Sequence, residues 1–139
     1  MASKVFLDAN ILLELTLKRD GYETAKKIIV LAIGGQIQAF ITPSIVHITG
    51  YWLTKAYGHI KAKELLLTLL ADVHVIDTNH AITLHALHSK IKDIEDGLQY
   101  YTALHHKIDY FITQDRDLQK ASIPALPVYS PEGFLREIG

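Results

Sequence analysis

The chain has 139 residues, a length typical of one domain, and 49% of them are hydrophobic, which excludes a disordered chain. It contains no cysteine, so disulfides, zinc–thiolate sites and cysteine nucleophiles are excluded, as is common in a reducing cytosol. The formal net charge of −1 gives no overall basic field, so an anionic substrate would need a local basic patch or a bound cation.

Short hydrophobic strands alternate with helices along the sequence. In chain order they are a strand at Lys4–Asp8, a short helix at Ile11–Leu17, a helix at Tyr22–Ile33, a strand at Gln38–Thr42, helices at Ser44–Tyr57 and Ile60–Ala71, a strand at Val73–Ile76, helices at His80–Ser89 and Ile94–His105, a strand at Asp109–Thr113, a further helix, a short edge strand at Pro127–Tyr129 and a helix at Pro131–Ile138. This alternation predicts one α/β domain over residues 1–139, with a parallel sheet of four to five strands covered by helices.

No membrane helix or signal peptide is recognisable in the sequence. The most apolar stretches, 28–33 and 65–71, are far shorter than the roughly 20 residues that a membrane span needs. The first residues lead directly into a strand, without the apolar segment of a secretion signal. We therefore expect a cytoplasmic protein that does not associate with a membrane.

Acidic side chains follow two of the buried strands. Asp8 ends the first strand, and Asp115 and Asp117 follow the fourth. Because ligands bind at the carboxyl ends of the strands in open α/β sheets, these acids are candidates for a divalent metal site. Asn10 and Thr113 could assist them. The alternatives are that Asp8 only caps a helix and that Asp115 and Asp117 only form a turn.

A second acidic group occurs where the helix at 94–105 begins. Glu95 and Asp96 lie in its first turn, where the helix dipole alone favours acids. They become site residues only if one of them points to the same sheet edge. Lys90 and Lys92 precede them and could bind a phosphate backbone, although most such lysines are simply solvated. Asp77 also ends a strand; it could cap the following helix, and it is the main rival as a ligand.

Four motifs occur in an order that resembles a known family. They are Val5–Leu12, Asp93–Tyr100, Tyr110–Asp115 and Pro127–Leu135. In this order they resemble the opening strand with its acid, the acidic helix start, the last acidic strand end and the terminal strand and helix of the PIN domain. This nuclease fold occurs in the VapC-type toxins of bacterial and archaeal toxin–antitoxin pairs. The resemblance spans nearly the whole chain and implies a three-layer α/β/α fold.

The resemblance also implies catalytic residues and a cofactor. The family's acids fall on Asp8, Asp96 and Asp115, with Asp117 as an alternative to Asp115, and they would hold Mg²⁺ or Mn²⁺ in a ribonuclease. Family members usually place a glutamate in the helix after the second strand. Here no carboxylate occurs between Glu23 and Glu64, and His47 or Ile48 takes that position. His47 is therefore counted as a possible supporting residue.

The partners implied by the resemblance are an RNA substrate and a small antitoxin, together with a second copy of the chain. The leucine-rich helix at Ile60–Ala71 could provide the homodimer face. Two other interpretations remain open. The missing glutamate is compatible with a catalytically silent PIN-like binding module. A phosphotransfer domain with Asp8 as nucleophile, as in haloacid-dehalogenase-like phosphatases, is weaker because Asn10 stands where a second acid is needed.

Overall fold

The computed structural model describes residues 2–139, so Met1 of the predicted domain lies outside the described part. These residues form five strands and eight helices. The strands are β1 (Ser3–Leu7), β2 (Ile37–Ile41), β3 (Val73–Val75), β4 (Tyr110–Ile112) and β5 (Val128–Tyr129). The helices are α1 (Ala9–Thr16), α2 (Tyr22–Ile33), α3 (Pro43–Tyr57), α4 (His59–Leu70), α5 (His80–His88), α6 (Ile94–His105), α7 (Arg116–Lys120) and α8 (Pro131–Ile138).

The strands pair in one parallel sheet with the order β3-β2-β1-β4-β5. The predicted three-layer α/β/α fold with four to five parallel strands is confirmed. The first strand lies at the centre, between β2 and β4, and β5 lies at one edge as Pro127 suggested. Since all strands point the same way, the residues that follow them meet at one edge of the sheet.

The central strands are buried on both faces. Val5, Phe6 and Leu7 are consecutive and have no exposed surface, which is the pattern expected of a parallel strand covered by helices on both sides. The Phe6 ring stacks on the Phe111 ring of β4, with centroids 4.8 Å apart. The core therefore fixes β1 and β4 side by side, and with them the positions of the polar residues that follow.

Polar residues begin most of the helices immediately after the strands. Asp8, Thr42 and Asp115 accept hydrogen bonds at the first turns of α1, α3 and α7, and Ser130 does so for α8. The residue that caps α5 is Asn79, whose side chain accepts from Ile82 N–H, so a capping role for Asp77 is wrong. Within residues 2–139, no helix combines the length and apolar character needed to cross a membrane.

Candidate functional site

An acidic cavity of about 360 Å³ lies at the carboxyl edge of the sheet. Four carboxylates line it, together with Asn10, Ile48 and Gln114; the acids are Asp8, Glu95, Asp96 and Asp115. They come from the ends of β1 and β4 and from the first turn of α6. The structure therefore brings together the three acids that the sequence singled out, and the predicted supporting residues Asn10 and Glu95 lie beside them.

Asp8 both caps a helix and lines the cavity. One carboxylate oxygen, Oδ1, accepts from Ala9 N–H at 2.7 Å, and the other, Oδ2, accepts from the Thr113 hydroxyl at 2.7 Å. Burial raises the pKa of Asp8, the two hydrogen bonds partly counteract that, and the nearby charges of Asp115 and Asp93 raise it further. The capping role and the site role are therefore compatible in one side chain.

Asp96 and Asp115 form a carboxyl pair. Asp96 is half-buried in the first turn of α6, and its pKa is raised to about 7. Burial is the largest cause, followed by a hydrogen bond with the Asp115 carboxyl and by the negative charges of Asp93, Asp115 and Asp8. A carboxyl group next to other negative charges loses its proton less readily, so Asp96 is still partly protonated near neutral pH.

Thr113 connects the acids of the two central strands. Its buried hydroxyl donates to Asp8 Oδ2 at 2.7 Å and accepts from Asp115 N–H at 3.1 Å. The Asp115 carboxylate in turn accepts from the N–H groups of Asp117 and Leu118, at 2.8 and 3.3 Å. These contacts hold both side chains in place without neutralising the negative charge of the cavity.

A second cavity, of about 430 Å³, adjoins the first. Asp96 and Asp115 line both, whereas Asp117 lines the second cavity together with Lys90 and Lys92. Asp115 therefore lies next to the acids of both cavities, whereas Asp117 lines only the second cavity and is exposed to solvent. The two lysines lie where the sequence suggested a phosphate contact, beside the acid pair.

His47 and Ile48, the two residues where the PIN domain resemblance implies a glutamate, face different parts of the structure. Ile48 lines the acidic cavity, whereas His47, one residue earlier, lines a groove between α3 and α4. The structure thus places the predicted supporting residue His47 outside the acidic cavity, because one residue is about 100° of rotation around a helix. Asp77 lines neither of the two acidic cavities, and its backbone oxygen contacts the ring of His106.

A buried polar pair behind the cavity was not predicted. The Thr42 hydroxyl, at the end of β2, donates to Gln99 Oε1 at 2.5 Å, and Gln99 lies one turn after Asp96 on α6. The amide Nε2 of Gln99 is buried and unpaired within residues 2–139. The signal in the sequence was Gln99 itself, which follows the candidate ligand Asp96 by three residues and so lies on the same side of α6. The pair links the helix that carries Asp96 to the sheet edge.

The donor set fits a hard divalent cation only in part. Within residues 2–139, no three His, Asp or Glu side chains are arranged so that they could hold an ion as they stand. Mg²⁺ nevertheless commonly binds through one or two carboxylates and keeps several waters. The Asp96–Asp115 pair, with Asp8 and Glu95 in the same cavity, provides carboxylates whose mutual repulsion a cation would relieve.

Comparisons with known proteins identify the family. Residues 4–117 match the sequence profile of the PIN domain. The chain belongs to the PIN domain family. This profile match confirms the predicted resemblance to the family. No curated protein matches the sequence of this chain.

Solved structures of the same fold include toxin–antitoxin proteins. A chain of VapBC2 from Rickettsia felis, solved with a DNA fragment from its promoter, has 16% identity and a TM-score of 0.68. A toxin–antitoxin complex from Klebsiella pneumoniae has 21% identity and a TM-score of 0.68. Each of these two matches covers 91% of this chain and 97% of the matched chain. VapC20 of Mycobacterium tuberculosis, a Sarcin-Ricin loop cleaving toxin, has 16% identity and a TM-score of 0.67, covering 87% and 97%. These likenesses establish a shared fold.

The raised pKa of Asp96 predicts how stability depends on pH. The native pKa, about 7, exceeds the usual 3.8, so the native state binds the proton more tightly than the unfolded state. The stabilisation by this proton is complete below pH 4 and is lost as the pH rises to about 7. In metal-free buffer, Asp96→Asn should raise the free energy of unfolding at pH 8 by about 1–2 kcal/mol, allowing for solvent screening.

Urea denaturation at pH 5 and pH 8 would measure this difference. The exposed Asp77→Asn is the control, since it removes a carboxylate outside both acidic cavities. The control should follow the wild-type profile at both pH values. An Asp96→Asn profile that matches the wild type would show that this carboxyl carries no excess proton.

Proposed function

We propose that this PIN domain protein is a metal-dependent endoribonuclease that hydrolyses RNA phosphodiester bonds. The observation that carries the proposal is the convergence of Asp8, Asp96 and Asp115 on one cavity at the carboxyl edge of the sheet. Burial and mutual repulsion raise the pKa of Asp8 and Asp96, and such perturbed acids concentrate at functional sites.

Asp96 and Asp115 are the residues that would hold Mg²⁺ or Mn²⁺, with Asp8 next to them. When bound, the ion supplies a water of lowered pKa and neutralises charge on the phosphodiester. Loading requires Asp96, whose pKa is raised to about 7, to release its proton, so metal affinity should rise with pH. Asp117 lines the second cavity and is the alternative ligand to Asp115.

The other residues of the site position the acids and the substrate. Thr113 orients Asp8 through its hydroxyl, and Asn10 and Glu95 line the same cavity. Lys90 and Lys92 line the second cavity, where their ammonium groups could bind phosphate oxygens that flank the scissile bond. The RNA would thus be held on the α6 side of the site by two cations of the chain itself.

The proposed biological role is that of the toxin in a VapBC-type toxin–antitoxin pair. The PIN domain profile and the shared fold with toxin–antitoxin proteins support this role. Its partners would be a small antitoxin that blocks the site and a second copy of the chain. Ile60 and Leu67 are 67% and 70% exposed on one face of α4, and they offer an apolar surface for a homodimer. We propose a cytoplasmic location for this pair.

A catalytically silent binding module is the second candidate. Ile48 lines the acidic cavity at the position where a carboxylate is usual in the family, and this favours the alternative. An isoleucine adds no ligand and desolvates the acids beside it. Such a protein would fold and engage its partner without turnover.

Cleavage assays distinguish the two candidates. Purified wild type should cleave single-stranded RNA with Mn²⁺ or Mg²⁺ and lose activity with EDTA. Asp8→Asn and Asp96→Asn should each reduce kcat/KM by 100-fold or more, which corresponds to about 2.7 kcal/mol. Asp109→Asn, at the opposite end of β4, is the control. Equal residual activity in wild type, Asp8→Asn and Asp96→Asn would exclude the nuclease.

Ile48→Glu should strengthen the metal site. The new carboxylate would face the acidic cavity and add an oxygen ligand, so we expect Mn²⁺ to bind about tenfold more tightly, a gain of roughly 1.4 kcal/mol. His47→Glu is the matched control, because it adds the same charge one residue earlier but in the groove between α3 and α4. Isothermal titration at pH 8 measures both. Equal gains in the two variants would show that only net charge matters.

A further inference from the structure

Two exposed aromatic rings and a lysine form a patch on α3. Tyr51 and Trp52 are 51% and 43% exposed, and their rings meet edge to face with centroids 5.3 Å apart. Lys55 Nζ lies 5.1 Å from the Tyr51 centroid and 5.7 Å from the Trp52 centroid. We call these three residues the aromatic–lysine patch. Large aromatic side chains left in water as a cluster commonly mark an interaction surface.

The patch lies on the same helix as Ile48, one wall of the acidic cavity. Ile48, which lines that cavity, precedes Trp52 by four residues and Lys55 by seven, a spacing that places all three on one helical stripe. At a rise of 1.5 Å per residue, Trp52 and Lys55 lie about 6 and 10 Å further along α3. A chain that leaves the cavity along this helix therefore meets the patch within two helical turns.

The surroundings of the patch favour an anionic partner. The groove between α3 and α4 has a volume of about 440 Å³; its lining is largely apolar, and its cationic side chains are Lys55 and Lys63. Among the groove-lining residues in the described part of the chain, there is no carboxylate. Two lysines next to exposed aromatic rings suit a partner that offers both negative charge and flat apolar faces.

We propose that the aromatic–lysine patch binds the single-stranded RNA that extends from the acidic cavity. This rests on the proposed ribonuclease function and names a second contact region for its substrate. Bases stack on the exposed Trp52 and Tyr51 rings, and Lys55 binds the adjoining phosphate. Since every base has a π-face, this contact lengthens the binding site without selecting a base. Lys55 adds a further local cation to Lys90 and Lys92, which matters in a chain whose net charge is −1.

The rival occupant, a second copy of this chain, can be tested separately. The exposed apolar residues of α4, Ile60 and Leu67, are seven residues apart and share a face. The groove-lining residues of α4 are His59, Ala62, Lys63 and Leu66, which lie about a quarter turn away around the helix. Leu67→Ala therefore alters the candidate dimer face without altering the patch.

Trp52 is the only tryptophan of the chain, so its fluorescence reports on the patch directly. A mixed-sequence RNA of about 12 nucleotides, titrated in EDTA, should quench it saturably. Inorganic polyphosphate, which carries charge but no bases, should leave it unquenched. In anisotropy titrations with labelled RNA, Trp52→Ala should raise Kd about tenfold, and Trp52→Phe should restore part of that loss.

Lysine variants provide a matched pair. Lys55→Gln should raise Kd several-fold and reduce the salt dependence of binding by about one phosphate contact. Lys26→Gln removes the same charge from a similar pair on α2, where Lys26 Nζ lies 6.0 Å from the Tyr22 ring centroid, and should bind like wild type. Equal effects of Lys55→Gln and Lys26→Gln would overturn the proposal, because net charge alone would then explain binding.

Three further outcomes are decisive. Absence of quenching, or an unchanged Kd for Trp52→Ala, would overturn RNA binding at the patch. If wild type nevertheless cleaves RNA, the proposed nuclease function is retained. Quenching with the expected Kd changes supports the patch even if no cleavage occurs, and the nuclease alone fails. If Trp52→Ala converts a dimer to a monomer by light scattering while Leu67→Ala does not, the patch is a self-association surface and the proposal is overturned.

Discussion

The repulsion among carboxylates gathered at the carboxyl edge of the parallel sheet is the constraint on which the site depends. The sheet brings Asp8 and Asp115 together because β1 and β4 are neighbours, locked by the stacked rings of Phe6 and Phe111. The start of α6 then adds Asp96 to the same cavity. Burial, followed by the neighbouring negative charges, raises the pKa of Asp96 to about 7, and a divalent cation that bound there would replace its proton.

The acids are held by donors that orient them but leave their charge available. The Thr113 hydroxyl and the Ala9 N–H bind Asp8, and the first turn of α7 binds Asp115. Each aspartate therefore caps a helix and lines the acidic cavity at once. The same geometry explains why the cavity lies where polar backbone groups are already exposed, at the beginnings of helices, rather than in the middle of the sheet.

Much of the fold was predictable because its signals are local. Val5–Leu7 is a continuous apolar run that ends on an acid, and a parallel sheet then requires that Asp8 and Asp115 share one edge. Other features depend on tertiary packing. Whether His47 or Ile48 faces the acids depends on how α3 packs against α1. The pair of Thr42 and Gln99 joins residues 57 positions apart, so the sequence places Gln99 on the helix of Asp96 but does not indicate Thr42 as its partner.

We propose that the acids of the sheet edge form one metal centre, and anomalous scattering from crystals soaked in Mn²⁺ would locate the ion. We expect a manganese peak in the acidic cavity, within bonding distance of carboxylate oxygens of Asp96 and Asp115. A crystal with an ordered, accessible cavity but no peak there, or with its peak only at the exposed histidines His85 and His105, would contradict it.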